Sequence, residues 1–240
     1  RGDVTLAGVF NPMLFSTNQS LVSSSISALY STYSDDASVT VSSAGGDVSW
    51  MAPSSTTLGR IATAPAAASG ERLSFTAATD LPLFNLTPAR VSVVAHAGDL
   101  SVDVPGGSGL LLYPHAGGNT ELHAAGDIDL KSSIRIIDID PSRMPGVGMP
   151  INASSRKAVS DLLIATRLTM PGLFTALHAD DDAPMRIQAG GDVTLSGGTT
   201  TRIWSPKQAV ITAGGDIFNL DVIGQHHHAG QHEGDDHHRV

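Results

Sequence analysis

Apolar residues recur at alternate positions on either side of one short motif, which appears six times along the chain. The motif is Gly-Asp followed by Val, Ile or Leu, at Gly2 and Asp3, Gly46 and Asp47, Gly98 and Asp99, Gly126 and Asp127, Gly191 and Asp192, and Gly215 and Asp216. One position after each Asp stand Val4, Val48, Leu100, Ile128, Val193 and Ile217; three after stand Leu6, Trp50, Val102, Leu130 and Leu195, with Asn219 the exception. Five before it stand Val94, Leu122, Ile187 and Ile211, with Ser42 the exception; three before stand Ala44, Ala124, Ala189 and Ala213, with His96 the exception. These offsets are all odd, so the apolar side chains share one face of an extended chain and the polar ones take the other. Each copy reads as strand, Gly-Asp corner, strand.

Shuffling the 25 Gly and 20 Asp over 240 positions leaves about two Gly-Asp pairs of any kind, so the six copies are an internal repeat. The corner has a local rationale: Gly reaches positive φ without steric cost, and an Asp side chain accepts from nearby backbone N–H groups in an Asx-type turn. The 24 residues from Asp192 to Asp216 match one coil of a parallel β-solenoid; the other spacings of 44, 52, 28 and 65 read as two coils or one coil plus an excursion. "AGGNTEL" from Ala116 reads as a degenerate copy with Asn119 in the Asp slot. The pattern predicts an all-β parallel β-helix of about eight to ten coils, a rod on the order of 40 to 50 Å long at the strand spacing. An antiparallel sandwich would call for Asn-Gly or Asp-Gly hairpin turns, and neither dipeptide occurs.

Residues 1–240 read as a single solenoid segment with two departures. "PAAASGERLSF" from Pro65 reads as a surface loop, and residues 131–184, which hold no Gly-Asp copy, read as a loop-rich excursion that rejoins the stack near Met185. Within it, "SSRKAVSDLLIATRL" fits either a short helix started by Ser154 or Ser155 or two strands.

Composition agrees with the strands and narrows the function. There are 20 Asp but 3 Glu, and 11 Arg but 3 Lys, so the residues that usually fill helix surfaces are scarce while turn and strand-surface residues abound. A net charge of -9 without clustered Lys and Arg argues against nucleic acid as a partner. Cysteine is absent, which removes disulfides and thiolate chemistry, and no apolar run is long enough for a transmembrane helix or a signal peptide.

The blocks "APMRIQAGGDVTL", "SPKQAVITAGGDIFNLDVIGQH", "LLLYPHAGGNTELHAAGDIDL" and "IRIIDIDPSRMP" resemble the filamentous haemagglutinin-like exoproteins of bacterial two-partner secretion systems, from about Tyr33 to the C-terminus. The resemblance implies a right-handed parallel β-helix. It also implies a secreted or surface-exposed passenger, exported through an outer-membrane transporter and serving in adhesion, biofilm formation or as a toxin-carrying stalk. Its partners would be a host-cell, glycan or bacterial surface receptor. Family members open with a secretion domain bearing Asn-Pro-Asn motifs; "FNPMLF" has Met13 in place of the second Asn, so this stretch reads as internal, cut from a longer solenoid.

The candidate chemistry is sparse, and no cofactor or catalytic residue is assigned. The tail with His226, His227, His228, His232, His237 and His238 beside Glu233, Asp235 and Asp236 carries ligand types for Zn or Ni but no fixed spacing, and reads as a polar loop. Asp-rich "HADDDAP" at His178 and "SDD" at Ser34 lack a calcium-loop pattern and read as solvated turns. A glycan-binding or polysaccharide-degrading β-helix is the alternative function; it needs paired carboxylates such as Asp127 with Asp129, or Asp138 with Asp140, projecting into a groove. The opening "RGD" matches an integrin-recognition tripeptide, yet its Gly2 and Asp3 occupy the same slots as Gly191 and Asp192. The favoured expectation is a structural and adhesive segment without chemistry of its own, with the six Gly-Asp pairs as structural corners.

Overall fold

A computed structural model describes residues 2–9, 33–51, 86–104, 109–144 and 175–224. In chain order its strands are β1 (Val4–Leu6), β2 (Ser38–Ser43), β3 (Val48–Met51), β4 (Leu86–Thr87), β5 (Arg90–Ala95), β6 (Leu100–Asp103), β7 (Leu110–Leu112), β8 (Asn119–Ala124), β9 (Ile128–Leu130), β10 (Ile134–Arg135), β11 (Met185–Ala189), β12 (Val193–Leu195), β13 (Ile203–Ser205), β14 (Ala209–Ala213), β15 (Ile217–Phe218) and β16 (Val222–Gly224). The only helix among the described residues is one 3-10 turn at Pro141–Arg143.

The strands form three sheets, and every pair is parallel. The corner sheet follows each Gly-Asp pair in the order β1-β3-β6-β9-β12-β15; the lead-in sheet precedes it in the order β14-β11-β8-β5-β2; a third sheet runs β16-β13-β10-β7-β4. Successive strands along the chain therefore belong to different sheets, and each sheet neighbour is the equivalent strand of the next coil, which is the arrangement of a β-helix.

The interior is built from columns of equivalent residues. In the corner sheet Val4, Val48, Leu100, Ile128, Val193 and Ile217 stack in register, beside Leu6, Trp50, Val102, Leu130 and Leu195. In the third sheet Leu110, Ile134, Ile203 and Val222 do the same. A column contributes little alone, but each fully buried aliphatic side chain adds about 1.5 to 3 kcal/mol, and the interior of Val48, Leu100, Ile128, Leu130, Ile134 and Val193 is closed to solvent. In the last coil described, Ile217, Phe218, Leu220 and Val222 are large apolar side chains left exposed.

Several expectations change here. The lead-in column is Val41, Val93, Leu122, Ile187 and Ile211, followed by the small column Ser43, Ala95, Ala124, Ala189 and Ala213. Counting back from Asp therefore fails for two copies, whose corners are one residue longer. Ser43 lies four residues before Asp47 and Ala95 four before Asp99, against three from Ala124 to Asp127. Val94 consequently faces outward beside His123, and Val93 takes the core position. "AGGNTEL" is not a Gly-Asp corner either: Asn119 opens β8 and pairs with Arg90 in the lead-in sheet.

Consecutive Gly-Asp copies are direct neighbours in the corner sheet, so the long spacings are single coils with insertions, and the described residues hold six corner strands where eight to ten coils were expected. Residues 131–135 stay in the stack, because β10 pairs with β7 and β13; the excursion leaves only after it. Its stem 137–144 packs on the outside of the third sheet, where Ile137, Ile139 and Met144 meet Leu86, Ala89, Leu111, Tyr113 and Tyr33 in a second apolar cluster. Tyr33 and Tyr113 meet edge to face at 5.7 Å, and the Tyr33 hydroxyl donates to the Leu86 carbonyl. The expected loop at 65–75, the helix-or-strand stretch at 154–168 and the His-rich tail lie outside the described residues.

Candidate functional site

Six carboxylates line one corner of the coil, and their hydrogen bonds run between coils. Asp47 N–H donates to Asp3 Oδ1 at 3.1 Å, Asp99 N–H to Asp47 Oδ1 at 2.9 Å, Asp127 N–H to Asp99 Oδ1 at 2.8 Å, Asp192 N–H to Asp127 Oδ1 at 2.7 Å and Asp216 N–H to Asp192 Oδ1 at 2.7 Å. In return, the residue after each of the first five Asp residues donates to the Asp carbonyl of the following coil, as Val4 does to Asp47 and Ile128 to Asp192, both at 2.8 Å. The corner, where a bend would leave main-chain groups unpaired, is thus satisfied through a side chain. The local Asx turn expected from the sequence is replaced by a bond to the next coil.

That bond also explains the glycines. A Cβ at Gly46, Gly98, Gly126, Gly191 or Gly215 would lie closer than 3.0 Å to the Oδ1 of the preceding coil's Asp. Positive φ is not the reason: among the described glycines it occurs at Gly8, Gly109 and Gly198, none of them a corner. Gly2, at the first corner described, has open space where the others meet a carboxylate. Asp3 is exposed and tied to Asp47, and Arg1 lies outside the described residues.

The members of each carboxylate pair considered for catalysis have different partners. Asp127 belongs to the ladder, while Asp129 Oδ1 accepts from the Ser196 hydroxyl at 2.5 Å and its Oδ2 lies 3.8 Å from Lys131 Nζ. Asp140 is half-buried, caps the 3-10 turn by accepting from Ser142 N–H at 2.9 Å, and is held below the usual carboxylate range by its hydrogen bonds to Ser142. Asp138 is buried and faces elsewhere.

Asp138 leads to a second polar cluster that no motif announced. Its Oδ1 lies 2.5 Å from His178 Nδ1, with both side chains almost wholly buried, and its carbonyl accepts from Thr175 N–H at 2.8 Å. The two stems of the excursion are thereby joined at their base. Beside them, Lys207 Nζ donates to Asp181 Oδ2 at 2.5 Å and to the Gly118 carbonyl at 2.9 Å, with the lysine side chain 1 % exposed. Burial acts to raise the Asp181 carboxyl; the Lys207 hydrogen bond, the Ala183 N–H and the charges of Lys207 and His178 outweigh it and leave it lowered. The "HADDDAP" run, read as solvated turns, is in part this buried clamp.

Two shallow depressions mark the surface of the described residues. One of about 260 Å³ lies on the outer face of the lead-in sheet beside Arg90, Ser92, Asn119 and Glu121; another of about 380 Å³ lies at the first corner beside Gly2, Ser43 and Ala44. Among the described residues no three His, Asp or Glu side chains stand together as a metal site, and no helix is long and apolar enough to cross a membrane. No family model, curated protein or solved structure matches the chain.

Proposed function

We propose that this chain is a right-handed solenoid segment of a secreted bacterial surface exoprotein of the filamentous haemagglutinin type. It acts as a structural and adhesive rod, exported through an outer-membrane transporter, and has no chemistry of its own. The observation that carries this reading is the corner ladder: one bond, repeated from coil to coil, allows indefinite extension along the stack. The right hand follows from the general preference of parallel crossovers, and the six corner strands imply about six coils over residues 2–224.

Adhesion is assigned to the outer faces and the excursion rather than to a cleft. The outward residues of the lead-in sheet, Thr40, Ser92, Glu121 and Arg186, form an open polar row. The test compares the whole chain with a variant in which residues 145–174 are replaced by a short Gly-Ser linker, measuring attachment to epithelial and bacterial cells and to glycan arrays. Binding that falls to background in the variant supports an adhesive excursion. Binding by neither protein contradicts adhesion and leaves a spacer; release of reducing sugar from an arrayed polysaccharide contradicts the absence of chemistry and favours the glycan-degrading alternative.

A further inference from the structure

The ladder between β8 and β11 lacks one rung, and the reason is a proline. In β8 the odd-numbered residues turn their backbone groups towards β5, as in Asn119 N–H to the Ala89 carbonyl. The even-numbered ones face β11, where the Ala124 carbonyl accepts from Gly190, the residue after its register partner Ala189. Carried back along the same register, in which Arg186 pairs with Glu121, the donor for the Gly118 carbonyl is residue 184. That residue is Pro184, which has no N–H.

A carbonyl facing a parallel neighbour without a donor costs free energy. The Gly118 carbonyl is satisfied from elsewhere: Lys207 Nζ, in the turn between β13 and β14, reaches past the excursion's level to within 2.9 Å of it. A charged group is buried by this reach, and Asp181, three residues before Pro184, supplies the counter-charge at 2.5 Å. Asp138 and His178 close the same base from the other side, and the His178 Nε2 lies 3.1 Å from where a Cβ at Gly118 would be.

We propose that Lys207 is a latch: it stands in for the hydrogen that Pro184 cannot supply, and by doing so holds the returning stem, residues 175–184, onto the stack. Releasing it frees that stem and leaves β11 paired with β8. An insertion is thereby accommodated at a corner of a repeat without unzipping the coils on either side.

The test is a double-mutant cycle on the full chain, Lys207→Met, Pro184→Ala and the two combined, read by amide hydrogen exchange of residues 175–184 and of β11, with far-UV circular dichroism as the check on folding. Lys207→Met is expected to speed exchange in the stem about tenfold or more while residues 187–189 keep their protection. Pro184→Ala returns an N–H to the ladder, so in its background the effect of Lys207→Met should fall by at least half. Strict additivity, or a stem unaffected by Lys207→Met, overturns the proposal. Should Lys207→Met fail to fold, Pro184→Ala is expected to restore folding in the double variant, and failure of that rescue overturns it equally.

Discussion

At the Gly-Asp corner the same bond joins coil after coil, Asp carboxylate to the next Asp N–H at 2.7 to 3.1 Å, and only glycine fits beneath it. At the corner before the lead-in strands no bond repeats: the first coils use Asn119 N–H to Ala89, while the later ones depend on Lys207, Asp181, His178 and Asp138. The first corner spreads its stabilisation over many equal, exposed contacts. The second concentrates it in a buried Asp138–His178 hydrogen bond and a Lys207–Asp181 ion pair, whose partners come from positions 40 and 26 residues apart. The difference marks where the fold extends by copying and where it tolerates inserted sequence.

The two corners should therefore break differently. Asp138→Ala has the largest expected effect, about 3 kcal/mol of stability by urea unfolding, because it leaves a buried His178 ring nitrogen without its hydrogen-bond partner. Gly126→Ala comes next at about 1 to 3 kcal/mol, since its Cβ would collide with Asp99 Oδ1 and displace the ladder bond. Gly118→Ala, at the irregular corner, meets the His115 carbonyl at 3.0 Å and His178 Nε2 at 3.1 Å, so it should cost less than Gly126→Ala in the same assay. A larger loss at Gly118 would remove the distinction between a corner that requires glycine and one that accommodates a methyl group.

This contrast is also the boundary of what the sequence disclosed. The corner sheet was legible because Gly, Asp and the aliphatic residues after them recur at fixed offsets, and the columns headed by Val4 and Leu6 lie as that spacing required. The lead-in register was legible only in part: one extra residue in the corners before Asp47 and Asp99 moved Val41 and Val93, not Ser42 and Val94, onto the core face. The third sheet escaped notice because its strands are two or three residues long and carry no motif. The clamp escaped for a different reason. His178 sits in an Asp-rich run that resembles a solvated turn, and nothing local connects it to Asp138 or Lys207 to Asp181. The one readable signal was Pro184, a missing donor at the start of a strand, which shows its meaning only once the register is known.

The glycine requirement and the extensibility of the stack both rest on a carboxylate accepting from the next coil. The most direct measurement is amide hydrogen exchange at Asp127 in Asp99→Ala and Asp99→Asn, followed by NMR under native conditions. Removing the acceptor should speed Asp127 exchange by about fivefold or more and leave Asp192, served by Asp127 itself, unchanged, whereas Asn keeps an acceptor oxygen and should hold Asp127 near the parent rate. Equal Asp127 protection in the parent and in Asp99→Ala would contradict the ladder, and would return the Gly-Asp repeat to a set of separate local turns.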